Sequence, residues 1–278
     1  MRRAMLGILF TVLSLYAAYA ALMFAQQRAM MFPGTSRVGS ADLAHLPQGA
    51  GLHAIPASFG SVRVVLLRAP DAASPAPAVI FHPGNFEFVD QLTGALSQVT
   101  GLGLHVLLVE YPGYAGADGK PSFASLLEAT TVSYDWLAKR PEVDPTRIFA
   151  MGRSVGGGPA CELSRHRPIR ALVLMSTFTS VADFARAMWL PPFLARDRFD
   201  NLARLREFVG PALIFHGRRD EIIPYAQGRA LSQAATQATF VPLDCGHIDC
   251  PYFDAEFART LETFLQTHGI LGAGTAVD

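Results

Sequence analysis

The chain has 278 residues, half of them hydrophobic, so it can bury the core of one fair-sized domain. Its 23 basic and 23 acidic residues cancel, which argues against nucleic acid or another strongly charged partner. Its three cysteines, Cys161, Cys245 and Cys250, are too few for a disulfide scaffold and lack the paired spacing of a structural zinc site. We therefore expect one domain that needs no metal.

The N-terminus carries an uncharged, largely apolar run from Ala4 to Ala25. At 1.5 Å per residue, a helix of about 20 residues crosses the roughly 30 Å hydrocarbon core of a bilayer, so this run is long enough to span it. The run is apolar on all sides, which argues against a helix lying on the membrane surface. We predict a membrane anchor over residues 1–27.

The side of the membrane on which the remaining chain lies depends on the charges that flank this run. Arg2 and Arg3 should stay cytoplasmic, which predicts a non-cytoplasmic catalytic domain, although Arg28 and Arg37 follow the other end closely. A cleaved signal peptide is the alternative, since Ala18-Tyr19-Ala20 resembles a cleavage site.

From about Ser58 onward, short β-rich runs alternate with longer helical ones, which is typical of a mostly parallel sheet flanked by helices. The predicted strands are Val62–Leu67, Ala78–His82, Val106–Tyr111, Ile148–Met151, Leu172–Ser176, Leu213–His216 and Phe240–Leu243. The predicted helices are Val89–Leu102, Ser122–Lys139, Gly156–Arg165, Tyr225–Ala234 and Asp254–Thr267. The fold class is therefore α/β.

Three segments do not follow this alternation. Residues 26–57 are rich in Pro and Gly and are predicted to be a connector, and residues 269–278 are predicted to be a flexible tail. Residues 178–210 are too short for an independent domain and favour a small helical lid. We assign 28–268 to one catalytic domain that includes this lid.

The strongest chemical signal is the stretch Gly152-Arg153-Ser154-Val155-Gly156, directly after a predicted strand and before a predicted helix. A serine on a sharp strand-to-helix turn needs glycines two residues before and after it, because the neighbouring backbone passes close by. The N-terminus of the helix then faces any negative charge that develops beside the serine. Ser154 is therefore the predicted nucleophile.

A serine hydroxyl needs an adjacent base and a carboxylate that orients this base. Asp220 follows the predicted strand Leu213–His216, and His247 follows the next one, at the sheet edge where parallel sheets gather their sites. We predict His247 as general base and Asp220 as its partner, with Glu221 and Asp244 as competing carboxylates. His216 falls within a strand and is expected to be structural.

An oxyanion intermediate also needs hydrogen-bond donors. The loop Pro83-Gly84-Asn85-Phe86 follows a predicted strand, and we expect the backbone N–H of Asn85, or alternatively Phe86, to act together with that of Val155. A simple turn is the competing interpretation of this loop.

These features together resemble an α/β-hydrolase of the BEM46-like group, related to the ABHD12, ABHD13 and ABHD17 serine hydrolases. The resemblance covers roughly residues 28–268. Besides the predicted triad, the matching stretches are Met31-Phe32-Pro33, Gly84-Asn85-Phe86-Glu87, Glu110-Tyr111-Pro112-Gly113-Tyr114 with Pro121-Ser122, and Phe199-Asp200-Asn201. The order His82-Pro83-Gly84 departs from the family, which usually has the histidine immediately before the glycine, and Ala115 stands where a glycine is usual. The resemblance implies an N-terminal anchor, and bracing roles for Glu110 and Tyr111.

We therefore predict a membrane-anchored serine hydrolase that cleaves a small acyl ester or thioester, lipid-like in character, without a cofactor. A peptidase or amidase of the same fold and a catalytically inactive binding protein are the alternatives. In an oxidising compartment, Cys245 and Cys250 could form a disulfide that fixes the loop of His247.

Overall fold

The computed structural model describes residues 1–37, 46–47, 49–70 and 72–272. Most of the predicted flexible tail and part of the predicted connector lie outside the described residues. Eight strands of the described chain form one sheet: β1 Ala50–Ala57, β2 Gly60–Leu67, β3 Ala76–His82, β4 His105–Val109, β5 Val143–Arg153, β6 Leu172–Met175, β7 Pro211–Gly217 and β8 Gln237–Leu243.

The strands lie across the sheet in the order β1-β2-β4-β3-β5-β6-β7-β8. β2 pairs antiparallel with β1 and β4, and the pairings from β4 through β8 are parallel. The predicted mostly parallel sheet is confirmed. Its parallel strands end at one edge, so the loops after β3, β5, β7 and β8 meet there.

The prediction of a connector over residues 26–57 was wrong for Ala50–Ala57, which forms β1. Gly51 and Pro56 obscure the strand pattern, but β1 pairs only with β2 within the described sheet. Proline is tolerated on such an edge strand because one side of it needs no ladder hydrogen bonds.

The helices are α1 Arg2–Met31, α2 Val89–Leu92, α3 Ser97–Thr100, α4 Phe123–Leu137, α5 Gly157–His166, α6 Val181–Ala187, α7 Asn201–Glu207, α8 Tyr225–Ala234 and α9 Ala255–Thr267. The single helix predicted over Val89–Leu102 was wrong, because a turn around Gly94 separates α2 from α3. Glycine disfavours a continuous helix at this point because ordering it costs more backbone entropy than ordering other residues.

The segment predicted as a lid contains α6, a 3₁₀ turn at Pro192–Leu194 and α7, so it is helical as predicted. The N-terminal helix is longer than the predicted anchor, since α1 runs four residues past position 27 to Met31. By length and composition α1 could cross a membrane, and none of its residues is buried.

Apolar side chains pack against both faces of the sheet. One core contains residues of α4, α5, α7 and α8, and the other contains residues of α2, α3 and α9. Every residue of β3, at the centre of the sheet, is buried. A third apolar cluster lies above the strand ends and includes Phe32, Tyr111, Tyr114 and Phe178, next to the site described below.

Candidate active site

Ser154 lies at the sharp turn between β5 and α5. Its backbone has φ of 52°, in the left-handed region that residues other than glycine rarely adopt, and its side chain is buried. A Cβ atom on Gly152 would come within 2.3 Å of the Gly156 carbonyl oxygen, and one on Gly156 within 2.1 Å of the His82 carbonyl oxygen. Both glycines are therefore required by the close approach of neighbouring backbone.

The structure brings Ser154, His247 and Asp220 into one hydrogen-bonded chain. The His247 Nε2 atom lies 3.0 Å from Ser154 Oγ, and His247 Nδ1 lies 2.8 Å from Asp220 Oδ2. The other carboxylate oxygen of Asp220 accepts hydrogen bonds from the backbone N–H groups of Ile222, at 3.0 Å, and Ile223, at 2.7 Å. Asp220 is thus fixed by its own loop while it orients the imidazole.

The two competing carboxylates do not contact the imidazole of His247. Glu221 accepts a hydrogen bond from the backbone N–H of His247 at 3.2 Å, so it helps to hold the loop. Asp244 is exposed, and its Oδ1 atom lies 3.5 Å from Nη1 of Arg219. Of the three carboxylates, Asp220 is therefore the one that contacts the imidazole of His247.

The local electrostatics favour an ionised Asp220 beside a neutral His216. Burial opposes ionisation of Asp220, but hydrogen bonds from His247 and from the Ile223 N–H hold the pKa of its carboxyl below its ordinary value. Burial lowers the pKa of His216, whose Nε2 donates to the Ile223 carbonyl oxygen at 2.8 Å. His216 thus supports the loop of Asp220, which is the structural role expected from the sequence.

The loop after β3 is held in place by two tyrosines. The Tyr111 hydroxyl donates to the Pro83 carbonyl oxygen at 2.5 Å, and the Tyr114 hydroxyl donates to that of Asn85 at 2.7 Å. Asn85 lines the same cavity as Ser154 and Val155, so the predicted donors border one space. The bracing role expected for Tyr111 is present as a direct hydrogen bond.

His82, where the sequence departs from the family pattern, ends β3 and is buried. Its Nε2 atom lies 2.7 Å from Thr130 Oγ1 in α4, and its Nδ1 lies 3.3 Å from the Met151 carbonyl oxygen. Burial lowers the pKa of His82 to about 4, so the ring is neutral near pH 7. His82 therefore joins β3 to its neighbours beneath the loop.

Arg153 and Glu87 form a link that no motif in the sequence predicts. The Arg153 guanidinium pairs with the Glu87 carboxylate, donates to the His247 carbonyl oxygen at 3.2 Å and lies 5.4 Å from the centroid of the Tyr252 ring. Glu87 also accepts a hydrogen bond from the Gly84 N–H at 2.5 Å. These contacts connect the loop of Asn85 with the loop of His247. The serine motif gave no signal for Arg153, because it leaves that position unspecified.

A disulfide joins Cys245 and Cys250 on either side of His247, with their Cα atoms 5.0 Å apart. This pairing agrees with the hypothesis drawn from their spacing. Among the described residues, no group of three or more His, Cys, Asp or Glu side chains is arranged to hold a metal ion.

Ser154 opens into a cavity of about 360 Å³. Its lining is mostly apolar and comes from three parts of the chain, namely α1, the lid and the loops at the sheet edge. The polar lining residues are Gln27, Asn85, Ser154 and Asp197. The site therefore combines a hydrogen-bonded serine with a space that suits an apolar group.

Comparison with known proteins identifies relatives in sequence. No protein-family model matches the chain. The uncharacterized protein Rv2307c of Mycobacterium tuberculosis is 34% identical over 203 residues, which cover 70% of this chain and 72% of that protein. The alpha/beta hydrolase domain-containing protein WAV2 of Arabidopsis thaliana is 27% identical over 197 residues, covering 62% of this chain and 64% of that protein.

A solved structure extends the likeness over most of the chain. The esterase 2 of Thermogutta terrifontis, phosphorylated by paraoxon, superposes with a TM-score of 0.65 at 17% identity. The superposition covers 82% of this chain and 97% of that structure. At this level of identity the likeness shows that the two proteins share a fold.

Proposed function

We propose that this chain, which has the α/β-hydrolase fold, is a serine hydrolase that cleaves carboxylic esters or thioesters with Ser154 as nucleophile. The observation that carries this proposal is the continuous hydrogen-bonded chain from Ser154 through His247 to Asp220. A serine that has a left-handed backbone conformation on a strand-to-helix turn, beside a histidine, supports nucleophilic catalysis more directly than it supports ligand binding alone.

In the proposed mechanism, His247 Nε2 accepts the Ser154 proton as Oγ attacks the carbonyl carbon of the ester. Ionised Asp220 stabilises the imidazolium that forms and keeps Nδ1 protonated. The backbone N–H groups of Asn85 and Val155 donate to the oxyanion, and that of Val155 belongs to the first helical turn, where N–H groups lack intrahelical partners. His247 then protonates the leaving alkoxide or thiolate, and later activates the water that releases the acid.

The apolar cavity supports an acyl or lipid-like substrate, since most of its lining side chains offer no hydrogen bonds. We also propose that the chain belongs to the BEM46-like group. Buried Phe32, from the Met31-Phe32-Pro33 stretch, packs in one cluster with Tyr111 and Tyr114, so residues carrying that resemblance meet beside the site.

We propose further that α1 remains attached and anchors the protein in a membrane with the catalytic domain on the non-cytoplasmic side. The length and apolar composition of α1 support the anchor. The two arginines at its start support the orientation, and the Cys245–Cys250 disulfide agrees with an oxidising compartment.

The proposed activity is tested by labelling the purified full-length protein with a fluorophosphonate probe and by measuring hydrolysis of p-nitrophenyl esters from acetate to palmitate. We expect wild type to be labelled and active, Ser154→Ala to lose both properties, and Ser232→Ala, a surface serine variant in α8, to keep both. Paraoxon should block labelling of the wild type.

Other outcomes would favour the alternatives. Cleavage of aminoacyl amides at rates comparable to those of esters would indicate a peptidase or amidase of the same fold. A folded wild type that neither reacts with the probe nor hydrolyses any ester would contradict the proposal and favour a binding protein.

A further inference from the structure

One face of α1 is turned toward the catalytic domain. Ala20, Met23, Gln27 and Met31 recur at helical spacing and are partly covered, whereas Leu22, on another face, is 57% exposed. Residues three or four positions apart on a helix share a face, so this pattern describes a contact stripe. The end of the predicted membrane anchor is therefore also a part of the folded domain.

Polar contacts hold this stripe against the lid. Arg28 forms two hydrogen bonds with the Asp197 carboxylate, at 2.7 and 2.9 Å. Asp197 is 2% exposed and also accepts a hydrogen bond from the backbone N–H of Phe123 at 2.7 Å, so it joins α1 to α4 as well. Gln27 accepts a hydrogen bond from the backbone N–H of Arg196 at 2.8 Å. An ion pair with two hydrogen bonds and a buried carboxylate fixes the position of a helix better than exposed contacts do.

Two tyrosines extend these contacts toward the N-terminal half of the helix. The hydroxyl groups of Tyr16 and Tyr19 donate to the carbonyl oxygens of Trp189 and Met188, at 2.8 and 2.9 Å. Tyr16 lies nine residues before Ala25, where the apolar run ends, which is about 14 Å along the helix axis. The tip of the lid therefore lies beside a part of α1 that would be surrounded by lipid in a membrane.

The surface of the lid fits this location. Trp189 is 85% exposed and Phe193 is 70% exposed, both on the same lid that contacts α1. Arg186, Arg196 and Arg198 are exposed on the lid as well. Exposed aromatic residues with neighbouring basic residues suit insertion among acyl chains below anionic headgroups.

The cavity above Ser154 lies between these two elements. Ala20, Met23 and Phe24 of α1 contribute to one wall, and Phe184 and Met188 of the lid contribute to another. Ser154 and Val155 also line the cavity, so the proposed nucleophile faces a space that α1 helps to enclose.

We propose that the acyl chain of a membrane-resident ester enters this cavity from the bilayer, between α1 and the lid, and that α1 is a wall that determines acyl-chain specificity. This inference rests on the proposed function, because it assigns a substrate class and an entry route to the same site. The occupant is a lipid acyl chain, since the wall and its surroundings are apolar and the helix that forms the wall is the proposed membrane anchor.

Two neighbouring alanines of α1 provide the test. In Ala20→Phe the added ring projects into the cavity, whereas in Ala21→Phe the same ring lies on an exposed face of the helix. Full-length variants in phosphatidylcholine vesicles are compared by their kcat/KM ratios for p-nitrophenyl palmitate and p-nitrophenyl acetate. We expect Ala20→Phe to lower the palmitate-to-acetate ratio about tenfold or more, and Ala21→Phe to keep the wild-type ratio. An unchanged ratio in Ala20→Phe, or an equal fall in both variants, would overturn the inference.

A second measurement separates this inference from the proposed chemistry. In the Ser154→Ala background, a palmitate analogue with a diazirine near its terminal methyl group is incorporated into the vesicles and photoactivated. We expect crosslinks to α1 between Ala20 and Met31 and to the lid, and we expect Ala20→Phe to reduce those on the cavity face. Such crosslinks in Ser154→Ala, combined with a wild type that cleaves no ester, would reject the proposed function and keep the acyl site. Ester cleavage without them would reject the acyl site alone.

Discussion

Glu110 is a buried carboxyl group directly after β4, next to the tyrosine that braces the loop of Asn85. Burial raises the pKa of Glu110 to about 8, although the positive charge of Arg63 acts in the opposite direction. Glu110 is therefore mostly protonated at neutral pH in the folded protein.

This burial predicts a pH dependence of stability. The folded state keeps a proton that the unfolded chain loses above its ordinary pKa of 4.5, so the contribution of Glu110 is greatest below pH 4.5 and is lost as pH rises toward 8. We expect the melting temperature of the wild type to fall over this range more steeply than that of Glu110→Gln, as measured by differential scanning fluorimetry. Glu256→Gln, on the surface of α9, serves as the control and should follow the wild type. If the melting temperatures of the wild type and Glu110→Gln changed in parallel with pH, the raised pKa of Glu110 would be contradicted.

The loop that carries His247 is held from both sides. The Cys245–Cys250 disulfide closes it covalently, and Arg153 and Glu221 contact the backbone of His247 itself. The imidazole thus depends on a short segment whose conformation is restrained by three separate elements. Small displacements of a catalytic base weaken proton transfer strongly, because the hydrogen bond to the nucleophile requires a narrow geometry.

We therefore predict that opening the disulfide lowers ester hydrolysis. Dithiothreitol treatment of the wild type, or the double variant Cys245→Ser/Cys250→Ser, should reduce kcat by about tenfold to a hundredfold while the fold is retained. Circular dichroism checks the fold, and p-nitrophenyl butyrate hydrolysis measures the rate. The double variant is also the control for the reductant, since dithiothreitol should leave its rate unchanged. Full activity of the reduced wild type would show that the disulfide does not restrain the base.

The residues that follow the strands were the most predictable part of this molecule. Ser154, Asp220 and His247 each follow an apolar run that could be recognised as a strand, and parallel strands bring their ends to one edge. The Arg153–Glu87 link was not predictable, because its partners are 66 residues apart and the serine motif leaves the residue type at position 153 unspecified. Sequence periodicity describes local structure and burial, and it contains no information on which distant side chains will pair.

The same limitation applies to the largest elements. The apolar run of α1 predicted a membrane helix, but its packing on the lid joins residues 169 positions apart, such as Arg28 and Asp197. β1 was missed for a different reason, since Gly51 and Pro56 give an edge strand the composition of a loop. In both cases the tertiary partner, rather than the local sequence, determines the role of the segment.

For the whole molecule, the orientation in the membrane can be tested directly. Fusion of alkaline phosphatase to the C-terminus should give an active reporter, and a green fluorescent protein fusion at the same position should stay dark, because the proposed catalytic domain is exported. Replacement of Arg2 and Arg3 by glutamate should weaken this orientation, since cytoplasmic retention depends on basic residues. If the phosphatase fusion were inactive and the green fluorescent protein fusion fluorescent, the domain would lie in the cytoplasm.

The proposed use of α1 as both membrane anchor and cavity wall affects how the rate of such an enzyme has to be expressed. An ester that enters from the bilayer is sampled by diffusion in two dimensions, so the rate depends on its mole fraction among the lipids and not on its amount per volume of buffer. Dilution of the vesicles in water would leave that fraction, and therefore the turnover, unchanged. Dilution of the ester with inert lipid would lower it.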